Sequence, residues 1–178
     1  MEYFKIYPFI KQDKDALSLS FYSRRKITVI DKGILSELKR IAFEKKENVR
    51  ISLHNSPDDD LHNMMIFQHN RTYTRPHKHI LKSEAYHIIE GNALLVVFGE
   101  VGEVKETIDM GLEKNPMCRI GKNCYHTLIP TTEYVIFHES RPGPFLREGD
   151  SIFAPWSVEP SDKEMADSFI NVILQGGF

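Results

Sequence analysis

The chain has 178 residues, 41% hydrophobic and 27% charged, with a formal net charge of −2. That balance fits a globular protein with one sizeable core, and it excludes a nucleic-acid binder built on a basic stripe. The longest apolar runs, such as ALLVVF (93–98), are too short to span a bilayer.

In chain order, the first stretch, MEYFKIYPFIKQDKD, lacks a basic start, an apolar run and a small-residue cleavage site, so a cytoplasmic protein is expected. Residues 1–23 show no clear period. KITVI (26–30) reads as a short strand. Asp31 is placed to cap a helix over about 33–47, in which Ile34, Leu35, Leu38, Ile41 and Ala42 recur at helical spacing. From Arg50 the pattern turns to short runs of period two. RISLH (50–54), MMIFQH (64–69), TYTRPHKH (72–79), EAYHIIE (84–90), ALLVVFG (93–99), EVKETID (103–109), MCRIG (117–121) and EYVIFHE (133–139) read as strands. Turn residues separate them. Gly91-Asn92 in particular is expected to close a hairpin, since glycine accepts φ > 0. Eight short strands imply a mostly β sandwich or barrel. The stretch 161–175 is helical in pattern, with Met165, Phe169, Val172 and Ile173 on one face. The plan is an N-terminal extension (1–48), a β-barrel (49–160) and a helical tail (161–178). Cys118 and Cys124 make no disulfide framework and are expected as free thiols, with a metal role for Cys124 as the alternative.

The chemistry concentrates in HKHILKSEAYHIIEG (77–91). Alternate side chains of a strand share a face, so His77 and His79 point the same way, and Glu84 can return on the neighbouring strand to meet them. Two imidazoles and a carboxylate suit a divalent transition metal, and His126 offers a third imidazole. Arg71, Tyr73 and Arg75 share parity with the two histidines. Facing the lumen, the arginines would hold a carboxylate or phosphate; alternatively Pro76 bends the strand and Arg75 pairs with an acid. Tyr86 shares parity with Glu84, as a proton donor to substrate or as a packed core residue. His87 has the opposite parity and is expected at the surface. Glu139 would either orient a ligand histidine or pair with an arginine. Trp156 is expected to close one end of the barrel.

The spacing H-x-H-x4-E-x6-G at His77, His79, Glu84 and Gly91 resembles the first cupin motif. RISLHNSPDDDLHNM (50–64), YTRPHKH (73–79), SEAYHIIEG (83–91), YHTL (125–128), HESRPGP (138–144) and FAPW (153–156) are similar to the WbuC-type cupin metalloproteins, across about residues 24–160. The resemblance implies a double-stranded β-helix, or jelly-roll barrel. It implies His77, His79, Glu84 and His126 as ligands of one iron, manganese, nickel or zinc ion, with Arg50 and His54 lining the pocket. The sequence departs from the family pattern at Arg71, Gly121, Asn123 and Pro130, none of which is a ligand.

The family's association with bacterial surface polysaccharides implies a sugar or nucleotide-sugar substrate and isomerase or epimerase chemistry. An Fe²⁺ dioxygenase acting on a small organic acid and a non-catalytic sugar-binding module are the alternatives. A homodimer with a small sugar-like ligand, and no nucleic-acid or membrane partner, completes the expectation.

Overall fold

The computed structural model describes residues 3–16, 18–70, 72–146 and 149–177. The segment without sequence period forms a hairpin of two strands, β1 (Ile10–Asp13) and β2 (Leu19–Ser23). The strand expected over 26–30 is instead a bend and extended chain leading to α1 (Lys32–Lys45). The Asp31 carboxylate accepts from the Ile34 amide at 2.8 Å, which satisfies one of the free donors of the first turn. Ile34, Leu38, Ile41 and Ala42 form the buried face of α1, as their spacing requires.

The strands that follow are β3 (Val49–Ser52), β4 (Leu61–His69), β5 (His77–Lys78), β6 (Glu84–Phe98), β7 (Val104–Gly111), β8 (Met117–Ile120), β9 (Tyr125–Pro142) and β10 (Ile152–Phe153). The hydrogen-bonded path runs β1-β2-β3-β4-β9-β5-β10, and β6 pairs with β7, β8 and β9. Three expectations are corrected here. First, Gly91-Asn92 closes no hairpin: β6 runs straight through it. Gly91 takes φ +81, and the register against β9 shifts between Gly91 and Ala93, so the glycine serves a bulge. A Cβ there would meet the Tyr134 carbonyl oxygen at 2.4 Å. Second, β5 keeps only two residues of the run expected over 72–79, because Pro76 cannot donate to a ladder. Third, β5 does not pair with β6; its neighbours are β9 and β10.

The β6–β9 ladder curls back on itself. Ala85 is opposite Ser140 at one end and Val97 opposite His126 at the other. From Glu84 to Val97 a flat strand would run roughly 43 Å. Yet the Glu84 carboxylate lies 2.8 Å from His126 Nε2, so the two ends of the ribbon meet. The chain is therefore a mostly β, rolled structure, as expected, with one helix before the main strands and one after.

Three apolar clusters hold it. Phe4, Ile10 and Phe21 pack with the α1 face against Ile51, Phe67 and Ile136. Tyr86, Ile88, Leu95, Leu128 and Phe137 fill the centre. Val96, Phe98, Tyr125 and Ile129 take the buried face of α2 (Lys163–Leu174). Trp156 joins the last cluster, 5.0 Å from the Phe98 ring, with its indole N–H donating to the Glu100 carbonyl. No helix among the described residues is long and apolar enough to cross a membrane.

Candidate metal centre

His77 on β5 and His79 just beyond it face the same side, and His126 on β9 is the ladder partner of His77. Glu84 opens β6. Ligand atoms of His77, His79 and Glu84 lie within 4.8 Å of one another. Glu84 Oε1 is 2.8 Å from His126 Nε2 and 3.4 Å from His79 Nε2, and the His77 and His126 rings are 4.6 Å apart. Glu84, His79 and His126 are all buried.

The tautomers follow from the neighbours. His77 Nδ1 donates to the Arg75 carbonyl at 3.0 Å, His126 Nδ1 to the Cys124 carbonyl at 2.9 Å, and His79 Nδ1 to the Asp150 carbonyl. A carbonyl only accepts, so each Nδ1 carries a proton, and in the neutral ring each Nε2 turns a lone pair inward. Three lone pairs and a carboxylate then face one another. Glu84 Oε1 is buried and takes no hydrogen bond. These donors fit a divalent transition cation, which would satisfy all of them at once.

The charges agree. Burial would raise the Glu84 pKa, but hydrogen bonding and charge from His126 and His79 outweigh it and hold the carboxyl low, an effect that needs a proton or a cation on the Nε2 side. Burial and the neighbouring His126 push His77 down to about 4, so it is neutral at pH 7. At His79 burial acts downward, but Glu84 wins and raises the pKa, so a proton and a cation compete for the same Nε2.

A cleft of about 270 Å³ opens beside this cluster, lined among others by His77, Glu84, Tyr86, Glu139, Arg50 and Arg141. Tyr86 Oη is 3.3 Å from His126 Nε2; burial, then Glu84 and Glu139, push its pKa well up, so it stays a phenol. Glu139 is opposite Tyr86 in the β6–β9 ladder. Burial raises its pKa against the pull of Arg141, whose Nε is 3.5 Å away. No described histidine bonds to Glu139; the arginine is its partner.

The other expected residues separate. Arg71 lies outside the described residues. Arg75 is turned from the cleft: its guanidinium pairs with Glu159 at 2.8 Å, its Nε donates to Ser157, and it stacks over Phe153. Tyr73 packs edge-on against Phe169 in the α2 cluster. Both follow from the loss of strand geometry before Pro76, which ends the alternation. His54 stacks on His62 at 4.1 Å and lines a separate cleft of about 500 Å³ with Arg25, Asp59 and His138. Arg50 lines the cleft beside the histidines, and His87 is exposed. Cys124 contributes its carbonyl, not its thiol, to His126.

Sequence reading missed Lys82, Arg141 and Asp150. The Asp150 carboxylate sits between Lys82 Nζ and Arg141, the latter at 3.0 Å, while its carbonyl orients His79. Gly149-Asp150 carried only the signature of a turn, and a main-chain acceptor leaves no signal in sequence.

A family model described as a domain of unknown function, DUF6016, matches residues 30–110. No curated protein matches. Among solved structures, the chain is similar to the capsular polysaccharide assembling protein CapF from Staphylococcus aureus, with 14% identity, a TM-score of 0.49, and 58% of this chain and 31% of that chain covered. It is also similar to the oxalate decarboxylase OxdC of Bacillus subtilis, with 15% identity, a TM-score of 0.47, and 60% and 27% covered. The chain thus spans less than a third of either structure's length.

Proposed function

We propose that the chain is a metal-dependent cupin enzyme. In this reading His77, His79, Glu84 and His126 hold one divalent iron, manganese, nickel or zinc ion. The substrate is a small sugar-like molecule, isomerised or epimerised next to a carbonyl. The observation that carries the reading is the inward turn of three Nε2 lone pairs onto a buried carboxylate oxygen with no hydrogen bond.

The ion, when bound, supplies Lewis-acid polarisation of a substrate oxygen. The chain's own residues do the rest. Tyr86, held as a phenol, donates a hydrogen bond to substrate. Glu139, a buried carboxyl facing the same cleft, holds or releases the migrating proton at its carboxylate oxygen. Phe137 and Leu128 give the cleft an apolar wall.

The test is metal content by mass spectrometry on protein purified without added metal, beside a His79→Ala variant. About one equivalent of a single metal, lost in the variant, is expected; no metal in either rejects the reading. The loaded protein is then assayed against sugars and nucleotide sugars. Oxygen uptake with iron but not with zinc would identify a dioxygenase instead. Tight sugar binding without turnover would identify a binding module.

A further inference from the structure

The cleft carries a cation that the metal centre does not use. Arg50 stands on β3, level with Ile66 on β4 and Phe137 on β9, and all three line the cleft. Two residues further along β9, on the same face, is Glu139, and opposite it is Tyr86. Arg50 is thus about two strand spacings, roughly 10 Å, from the strand that carries Glu139. Its Nε is buried without a hydrogen-bond partner, and its charge acts on Glu139 through space, without a hydrogen bond between them. Arg141, the second guanidinium in the cleft, is engaged by Asp150 and Glu139.

A buried guanidinium N–H without a partner, as at Arg50 Nε, is costly unless an acceptor completes it. Asn48, Gln68 and Thr74 line the same cleft; Gln68 Nε2 is taken by Thr74 and the Leu128 carbonyl and Asn48 Oδ1 by the His69 amide, which leaves Gln68 Oε1 and Asn48 Nδ2 for hydroxyls. The volume, about 270 Å³, lies just below the usual range for drug-sized ligands of about 300 to 1,000 Å³. It fits a monosaccharide and would leave most of a nucleotide sugar outside. One free guanidinium balances one negative charge, and its planar fork matches a carboxylate; a phosphate brings about −1.5 to −2.

We propose that the ligand of this cleft is a monosaccharide-sized acid whose carboxylate is seated on Arg50, with its other end toward the His77–His79–Glu84 cluster. The proposal rests on the metal-dependent reading for what happens at that other end, and it can stand or fall separately.

The experiment is calorimetric titration of the purified protein, with its metal content measured in the same sample. The probes are D-glucuronate and D-galacturonate, neutral D-glucose, glucose 6-phosphate and UDP-glucose. A hexuronate is expected to bind at least about tenfold more tightly than glucose. Arg50→Gln is expected to lose that margin, about tenfold or more, with unchanged metal content and circular dichroism. Arg50→Lys, which keeps charge but not the fork, should recover part of it. Should Arg50→Gln fail to fold, the ligand series on the unaltered protein and the Arg50→Lys variant still decide. Equal affinity for glucose and hexuronates, no hexuronate binding, or an unaffected Arg50→Gln variant overturns the proposal. Tighter binding of glucose 6-phosphate overturns the carboxylate, and tighter binding of UDP-glucose overturns the size argument. A protein without metal that still binds hexuronate through Arg50 sinks the metal reading and leaves this one standing.

Discussion

Asp150 acts through two different groups. Its carbonyl accepts a hydrogen bond from His79 Nδ1, and its carboxylate sits between Lys82 and Arg141. Burial would raise that carboxyl's pKa; Lys82, then Arg141, outweigh burial and lower it. A lowered folded pKa contributes stability that is present above the unfolded value, about 3.9, and lost as pH falls through the folded value. Lys82→Met is therefore expected to cost roughly 3 kcal/mol at about pH 7. The gap between variant and wild type should be narrower at about pH 3, below the unfolded value, where the unfolded wild-type chain takes up a proton that the folded carboxylate resists. Urea titrations at the two pH values check this. Because the same residue aims His79, the variant should also bind metal about tenfold more weakly or worse, read by competition with a chelator.

At the scale of elements, the bulge in β6 keeps both halves of a 15-residue strand on one partner. Gly91→Ala places a Cβ 2.4 Å from the Tyr134 carbonyl and forces φ > 0 on alanine. We expect a loss of roughly 2 kcal/mol in chemical denaturation. That glycine also marks how far the sequence could be read. A positive-φ glycine looks the same in a hairpin and in a bulge, so the positive φ was foreseen and the uninterrupted strand around it was not. The parity of His77, His79, Glu84 and Tyr86 was legible because alternation is a local property of a strand. Arg75 and Tyr73 were misplaced by extending that alternation backward across Pro76. β1 and β2 escaped notice because β1, IKQD, buries only Ile10, while β2 runs parallel to β3, a pairing that no turn announces. The Asp150–Lys82–Arg141 group joins residues 68 positions apart, a distance no local pattern spans.

Across the whole molecule, Phe4 and the β1–β2 hairpin are tied into the sheet that carries the site. Phe21 is buried against Phe4 at 4.9 Å and shares a cluster with Ile51, Phe67 and Ile136 from β3, β4 and β9. Phe21→Ala is expected to cost roughly 4 kcal/mol. It should lower the unfolding midpoints seen by Trp156 fluorescence and by far-ultraviolet circular dichroism together. Separate midpoints would show that the N-terminal hairpin and α1 unfold on their own. Saturating the centre should act in the opposite direction, adding about 2.7 kcal/mol when the free ion is at 100 times its dissociation constant.

The curl of the β6–β9 ribbon gives that stabilisation a mechanical form. Glu84 and His126 belong to opposite ends of one ladder, so an ion between them would be the clasp of a bracelet, not a stud on its surface. The cleft admits a small ligand beside the clasp, but a chelator that removes the ion must also displace Glu84 and His126, which parts the two ends of the ribbon. Release to a chelator is therefore expected to proceed at the opening rate of the ribbon, whatever the chelator concentration. A release rate that climbs in proportion to chelator would show instead that the ion is reached through the cleft with the ribbon closed.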